Sequence, residues 1–325
     1  MLKLFAIALV AAQLIHVSWA VDCGVERSRC GDQCCPFKDG VCCPDKKTCC
    51  AQGNACLIGG YCAVLSYFRS VTLIGGGGSA PKRKQSCAEI KLADKKAKSG
   101  VYQIDVDGRF IDVYCEMDFE GGGWTMLMSR TSAELNFDDR TYKEYSNGFG
   151  SAAADHWLGL EFWHRLTKNA QHLRVFLEEC TRHTGESRHD GFRIGSRSEG
   201  YALHVGNFKS GGAGNALTLS PSKNAGRAHN GQRFTAKNED ADNDPDGNCA
   251  KTNYGGWWYD DCMAGKLTGK YLSDCGRGLP ETSLNEGIYW ETFYTDRTMK
   301  TAQMMIRPVD FAGADPVEID NDPIL

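Results

Sequence analysis

Asp240-Ala-Asp-Asn-Asp-Pro-Asp-Gly-Asn-Cys-Ala250 sets carboxylates at positions 240, 242 and 244, ahead of a turn containing Gly247, and Cys262 follows thirteen residues after Cys249. Alternate carboxylates on a short loop offer hard oxygen ligands. Ca²⁺ takes about six to eight such oxygens, from carboxylates, backbone carbonyls and water. The two cysteines would staple the loop just downstream. A metal loop joined to a disulfide loop reads as a recognition site held in shape by a cation, and it points away from catalysis.

Working outward, the start of the sequence fixes the compartment. Lys3 precedes an apolar run from Leu4 to Val10 that thins toward Ile15, and Ser18-Trp-Ala20 supplies small residues ahead of a cut after Ala20. This is the pattern of a cleaved secretory signal peptide, and it is too short for a spanning helix. Sixteen cysteines, an even number, suit an oxidising destination. Ten of them lie between Cys23 and Cys62, and the other six are spread from Cys87 to Cys275. About forty residues cannot bury a self-sufficient core, so disulfides must support the first region. The region from Cys87 to Val309 is long enough for a large core and holds every tryptophan except Trp19. A formal charge of −4 provides no basic face for nucleic acid. No later segment is apolar enough to insert into a membrane.

The expected organisation is therefore a signal peptide at 1–20, a Cys-rich module at 21–62, a linker at 63–86, a large domain at 87–310 and an acidic, disordered tail at 311–325. Within the linker, Gly75-Gly-Gly-Gly-Ser-Ala-Pro81 is a flexible stretch. Lys82-Arg-Lys84 reads as a solvated charge cluster or as a processing site separating the domains. The linker has neither heptads nor Gly-X-Y triplets with which to oligomerise. Val101 to Val106, Asp107-Gly108 and Phe110 to Tyr114 predict a β-hairpin. Helices are expected around Asp155–Leu160 and at Glu161–Lys168, the latter leading into a strand at Leu173–Leu177. Beyond about residue 206, Gly, Asn and Asp dominate, which predicts loops held by Ca²⁺ and disulfides rather than by a sheet.

With these pieces in place the large domain resembles a fibrinogen C-terminal domain, as found in fibrinogen chains, ficolins, tachylectins, tenascins and angiopoietin-like proteins. The resemblance rests on Gly100-Val-Tyr102, Tyr114-Cys115, Glu120-Gly-Gly-Gly-Trp-Thr125, Trp157-Leu-Gly-Leu160, His164-Arg-Leu-Thr167 and Leu173-Arg-Val175. It continues through His229-Asn-Gly231, Asp240–Asp244, Asn248-Cys-Ala250, Gly256-Trp-Trp258, Gly287-Ile-Tyr-Trp290 and Met304-Met-Ile-Arg-Pro308. The implied fold is α+β: mostly antiparallel sheet plus a loop-rich, calcium-binding subdomain, preceded by a small disulfide-rich β-hairpin module. That module, with Cys34-Cys35, Cys42-Cys43, Cys49-Cys50, Cys56 and Cys62, resembles the C-terminal part of a granulin, with three Cys-Cys pairs where a complete granulin has four.

The resemblance implies Ca²⁺ ligation by the side chains of Asp242 and Asp244 and by backbone carbonyls at Asp246 and Gly247. The interval from Asp244 to Cys249 is one residue shorter than in fibrinogen chains and contains Pro245. Disulfides Cys87–Cys115 and Cys249–Cys262 are implied likewise. In ficolin-like lectins the loop closed by the second pair helps to form an acetyl-binding pocket framed by a cis peptide bond, here Asp261–Cys262. The corresponding lining would be Asn253, Tyr254, Asp261, Cys262, Met263 and Leu284. Met263 stands where the family has His, and Asn253 and Leu284 where it has Tyr. Cys180 and Cys275 fall outside the family pairs. They either bridge each other or join two copies of the protein.

Trp124, Trp157, Trp257, Trp258 and Trp290 read as core aromatics. His156, His164 and His172 match no zinc spacing, and neither a nucleophile elbow nor a P-loop occurs, so nothing marks an enzyme. The sequence also contains no N-glycosylation acceptor. The expected function is calcium-dependent, lectin-like recognition of glycans or acetylated groups in innate immunity. The alternative is an extracellular signalling or matrix ligand for a cell-surface receptor, and either would act as a monomer or a homo-oligomer.

Overall fold

The computed structural model describes residues 29–30, 33–35, 41–43, 49–50, 54–57, 61–64, 83–218 and 228–312. The expected signal segment, most of the linker and the tail beyond 312 lie outside the described residues. The protein divides into two compact units, Met1–Ala80 and Pro81–Leu325.

The first unit is a series of small antiparallel hairpins: β1 (Arg29–Cys30) with β2 (Gln33–Cys34), β3 (Val41–Cys42) with β4 (Cys49–Cys50), and β5 (Asn54–Leu57) with β6 (Tyr61–Val64). Cys30–Cys42 and Cys35–Cys49 each tie the first hairpin to the second. Covalent cross-links thus replace the apolar core that so short a segment cannot assemble.

The second unit begins earlier than the sequence suggests. The Lys84 carbonyl accepts a hydrogen bond from Asp105 N at 2.9 Å, and Arg83 pairs with Asp105 while its guanidinium lies 5.0 Å from the Phe110 ring centroid. Part of the basic run therefore belongs to the globe. α1 (Cys87–Ala93) starts where the Ser86 side chain accepts from Glu89 N and the Glu89 carboxylate accepts from Gln85 N. β7 (Gly100–Val106) and β8 (Arg109–Glu116) form the expected hairpin. They close through Asp107-Gly108, both at positive φ, as a two-residue turn between twisted strands requires.

The main sheet has ten strands. After β9 (Trp124–Arg130) come β10 (Phe149–Gly150), β11 (His156–Trp157), β12 (Gln171–Glu178), β13 (Thr184–Ile194), β14 (Leu203–His204) and β15 (Phe208–Ser210). β16 (Gly265–Lys266) and β17 (Tyr289–Trp290) form a separate pair. The backbone then returns as β18 (Thr301–Pro308), inserted between β9 and β12. Among the described residues the expected loop-rich stretch is present from 211 to 300, apart from the short β16–β17 pair and two short helices, but β15 and β18 correct the expectation that no sheet follows residue 206. Ala302, Met304, Met305 and Ile306 are buried on both faces, so the last strand lies at the sheet's centre.

A second correction concerns Asp155–Leu160. No helix forms there: His156–Trp157 is a strand paired with β9 and β10, and Gly159, at φ +103°, turns the backbone before α3 (Leu160–Leu166) begins. With α2 (Tyr142–Asn147), capped reciprocally by Thr141 and Glu144, α3 covers one face of the sheet's core. There Trp157 stacks on Trp163 with centroids 4.3 Å apart, and Trp257, Trp258 and Phe234 complete the cluster. Each such aromatic contributes about 2–3 kcal/mol by leaving water. Trp124 and Trp290 are buried as well, so all five tryptophans marked as core residues occupy core positions.

Candidate functional site

The site begins where the two loops of the second unit meet. Thr235 and Trp257 exchange backbone hydrogen bonds of 2.9 and 3.0 Å, pinning both ends of the acidic loop to the aromatic core. From there the aspartates organise their own backbone. Asp240 Oδ1 accepts from Asp242 N at 3.4 Å, Asp242 Oδ1 from Asp244 N at 3.2 Å, and Asp244 Oδ1 from Asp246 N at 3.0 Å. Each is an Asx turn, so alternate aspartates curl the backbone into a compact hook. Asp242 Oδ2 also accepts from Cys249 N at 3.0 Å, at the start of α4 (Cys249–Thr252), which Asn248 caps. A Cβ built on Gly247 would sit 3.4 Å from Asp244 Oδ2. Asp242, Asp244, Asp246 and Gly247 therefore share one turn.

This donor set fits a hard divalent cation. Burial pushes the Asp242 carboxyl up to about 6, the Cys249 backbone N–H opposes that shift, and the neighbouring Asp240 charge adds to it. A carboxyl whose charged form burial disfavours is one whose charge a bound cation would stabilise. Asp242 and Asp244 would hold Ca²⁺ by their side chains. The ion would supply charge neutralisation and a fixed loop shape.

The acidic hook is fastened to the disulfide loop. Asn243 N donates to the Asp260 carbonyl at 3.0 Å, and its Nδ2 donates to Asp260 Oδ1 at 2.7 Å. Cys249 and Cys262 are bonded to each other, as are Cys87 and Cys115. Cys180 and Cys275 also pair within the same molecule, tying the end of β12 to the loop before α5 (Glu281–Leu284). Asp261–Cys262 is trans, contrary to the cis bond expected there. Trans is the lower-energy form of a non-proline peptide, and Asp260 N donates to the Cys262 carbonyl across it.

The residues expected to line an acetyl pocket separate into two groups. Met263 and Leu284 are each only 2% exposed and are packed as core side chains. A Cβ on Gly276 would meet Leu284 Cδ2 at 2.7 Å, which shows how closely that loop closes over the leucine. Asn253 is buried, with its Nδ2 donating to the Cys249 carbonyl. Asp261, by contrast, is exposed, and Cys262 is partly so. Tyr254 is 37% exposed and holds φ +58°. Gly255 follows at φ +105°, where an added Cβ would lie 2.5 Å from the Thr268 carbonyl oxygen. This left-handed kink turns the Tyr254 ring outward.

Two groups at the site left no readable mark in the sequence. Lys270 Nζ lies 3.4 Å from the Tyr254 ring centroid and donates to Glu286 Oε2 at 2.7 Å, so an aromatic ring, a cation and a carboxylate stand side by side. Lys266 is 0% exposed, and its Nζ donates to the carbonyls of Asn253 and Asn285, bracing one site loop against the other. Burial drives its pKa well below the ordinary lysine range. A lone lysine between Gly265 and Leu267 has no pattern that could have announced this strut. His229 serves a similar end, with Nδ1 on the Trp258 carbonyl and Nε2 accepting from Gly265 N.

Comparison with known proteins gives a consistent result. The family described as "Fibrinogen beta and gamma chains, C-terminal globular domain" matches residues 83–309, and the granulin family matches residues 22–63. Human angiopoietin-related protein 6 is 34% identical over 227 residues, 69% of this chain and 45% of that protein. Human fibroleukin is 35% identical over 240 residues, 70% of this chain and 52% of that protein. The chain thus spans about half the length of these curated relatives. Among solved structures, the fibrinogen-like globe domain of human ANGPTL6 aligns with TM-score 0.62 and 32% identity, covering 72% of this chain and 99% of that one. Lamprey fibrin D-dimer complexed with the peptide ligand Gly-His-Arg-Pro-amide aligns with TM-score 0.63 and 25% identity, covering 79% of this chain and 86% of that one.

Proposed function

This chain belongs to the family defined by the C-terminal globular domain of fibrinogen beta and gamma chains and carries a granulin module ahead of that globe, and on that premise we propose that it is a secreted ligand that docks onto a protein partner. The docking face is the calcium-framed acidic hook together with Tyr254, Lys270 and Glu286. The partner is a cell-surface receptor or a matrix protein. One observation carries this reading: Met263 and Leu284 are sealed while Tyr254 is presented outward. A lectin pocket needs a concave, accessible lining with a few orienting polar groups. An exposed tyrosine flanked by a cation and a carboxylate suits a protein interface, where aromatic anchors ringed by polar groups supply most of the binding energy. The peptide bound by lamprey fibrin D-dimer is a precedent for polypeptide recognition on this fold.

Ca²⁺ held by Asp242 and Asp244 would fix the hook, and the Asn243–Asp260 hydrogen bonds would pass that order to the Cys249–Cys262 loop. Recognition is then calcium-dependent through shape rather than through direct metal contact.

The test is binding of the labelled secreted protein to intact cells in calcium, with excess N-acetylglucosamine or acetate as competitor. Saturable binding that is lost on chelation, on trypsin treatment of the cells and in Tyr254→Ala, yet indifferent to the sugar, is the expected result. Displacement by the acetylated sugar would return the site to the lectin class and overturn the proposal.

A further inference from the structure

We propose a second binding site, on the central sheet, that takes a tetrahedral oxyanion of the sulfate or phosphate class. A cavity of about 200 Å³ opens between β9, β12, β13, β15 and β18. It shares no residue with the acidic hook or with Tyr254, so it stands or falls independently of the docking face.

Three cations line the cavity, Arg188, Lys209 and Arg307, against a single carboxylate, Glu120. Arg188 engages that carboxylate at 2.5 Å and also pairs with Glu186 at 2.6 Å, while Lys209 pairs with Asp190 at 3.1 Å. Arg307 is different. Its Nη1 donates to the carbonyls of Glu120 and Gly122 at 2.7 and 3.0 Å, and its guanidinium stacks over the Trp124 and Phe311 rings at 4.3 and 4.9 Å. Among the described residues it has no carboxylate partner. A guanidinium cannot shed its proton, so among the described residues this buried charge is met by carbonyls, rings and the nearby Glu120 charge rather than by a carboxylate bonded to it.

A second, independent observation identifies the missing partner as an acceptor. Arg307 Nε, Trp124 Nε1 and His189 Nδ1 are all buried without a hydrogen-bond partner among the described residues, and all three residues line this one cavity. The indole and the guanidinium can only donate. His189 is 1% exposed and its Nε2 sits 2.9 Å from Ser187 Oγ; with that hydroxyl donating, Nδ1 carries the proton and becomes a third donor. Folded proteins rarely leave buried donors unmet, and the Arg307 guanidinium with the Trp124 indole, joined by His189 in that tautomer, calls for an oxygen-rich anion in this cavity. Donors on three different strands, with Lys209 at the rim, suit the spread oxygens of a sulfo or phosphate group better than the flat edge of a carboxylate.

The full secreted protein is titrated calorimetrically with sodium sulfate and with sodium phosphate, at ionic strength held constant by chloride. Saturable binding of either ion is expected. Lys209→Gln, at a half-exposed position with one ion pair, should weaken it about five-fold, the usual scale for one charge-assisted contact. Arg307→Gln should abolish it. Should that variant unfold, since it loosens the turn at Gly122, the Lys209 variant decides. Parallel titrations with a heparin-derived sulfated disaccharide and with glucose phosphate identify the natural source: tighter binding of one than of its inorganic ion assigns the site to that class. Binding of the ions alone, still sensitive to Lys209→Gln, supports a free-anion site. No heat above the chloride control, or equal affinity in the wild type and the folded variants, overturns the proposal.

Discussion

Removing the Cys180–Cys275 bridge should cost the globe several kilocalories and loosen the site loops. The cysteines lie 95 residues apart, and the Cys249–Cys262 bridge short-circuits 13 of those, leaving a loop of about 82. Closing a loop of that length removes about 15 cal/mol/K from the unfolded state, or about 4.5 kcal/mol at 25 °C. Native contacts at both ends remain without the bond: Cys275 N donates to the Leu272 carbonyl, Thr298 N donates to the Cys275 carbonyl, and Cys180 follows closely on β12. The loss should therefore be nearly all conformational entropy, about 3–4.5 kcal/mol in Cys180→Ala/Cys275→Ala. Urea denaturation followed by near-ultraviolet circular dichroism of the tryptophan cluster measures it. Hydrogen exchange should quicken at the amides of Lys270 and Gly287, which donate to the Glu286 and Leu284 carbonyls in the tethered loop. A loss below about 1 kcal/mol would refute the loop-entropy reasoning. Unchanged exchange would show that the bridge does not hold the docking face.

Three further outcomes test other parts of the structure. Asp242→Asn and Asp244→Asn should each weaken Ca²⁺ binding by at least about ten-fold in calorimetric titration, since each removes a charged oxygen ligand; unchanged affinity would remove these residues from the metal site. His189, whose pKa burial lowers to about 4 against about 6.5 when unfolded, is neutral in the fold, so the unfolded state binds the extra proton between those values and stability falls as pH drops through that window. The loss should reach about 3 kcal/mol by pH 4, and His189→Gln should flatten that limb of the stability profile; parallel profiles would exclude His189 as its source. Gly255→Ala should destabilise the globe by at least about 2 kcal/mol, because φ +105° is strained for alanine and its Cβ would press to 2.5 Å from a carbonyl oxygen; an unchanged urea midpoint would contradict that clash.

How much of this was legible depended on how local the determining physics is. The β7–β8 hairpin could be read because alternation and Asp107-Gly108 settle it within seventeen residues, and β12 because Leu173, Val175, Phe176 and Leu177 cluster around a single arginine. The alternate aspartates were legible as a short acidic loop, whereas the Asx turns that curl it, each acting two residues ahead, were not read from the sequence. Where a distant partner decides, the sequence misled. His156–Trp157 reads as helical by its surroundings, yet it becomes a strand because β9 offers an edge and Gly159 breaks the turn. Met304 to Pro308 could be recognised as a motif, but not as the centre of a sheet whose other strands end by Ser210.

The candidate site divides along the same line. Which residues belong near the disulfide loop was what the resemblance to fibrinogen C-terminal domains implied, whereas which of them face solvent was not legible, because burial is decided by the opposing loop. Leu284 is sealed by its fit against Gly276, and Asn253 is held by an ammonium thirteen residues away. The oxyanion cavity is the extreme case. Trp124, His189 and Arg307 come from three separate stretches, and each taken alone reads as a core aromatic, a strand histidine and a strand cation. Only the sheet order, with β18 set between β9 and β12, brings their unmet donors to one cavity. The strand that comes last in the sequence thus completes the core and creates a polar demand that the described residues leave open. That residual demand, rather than any motif, is what a second ligand would satisfy.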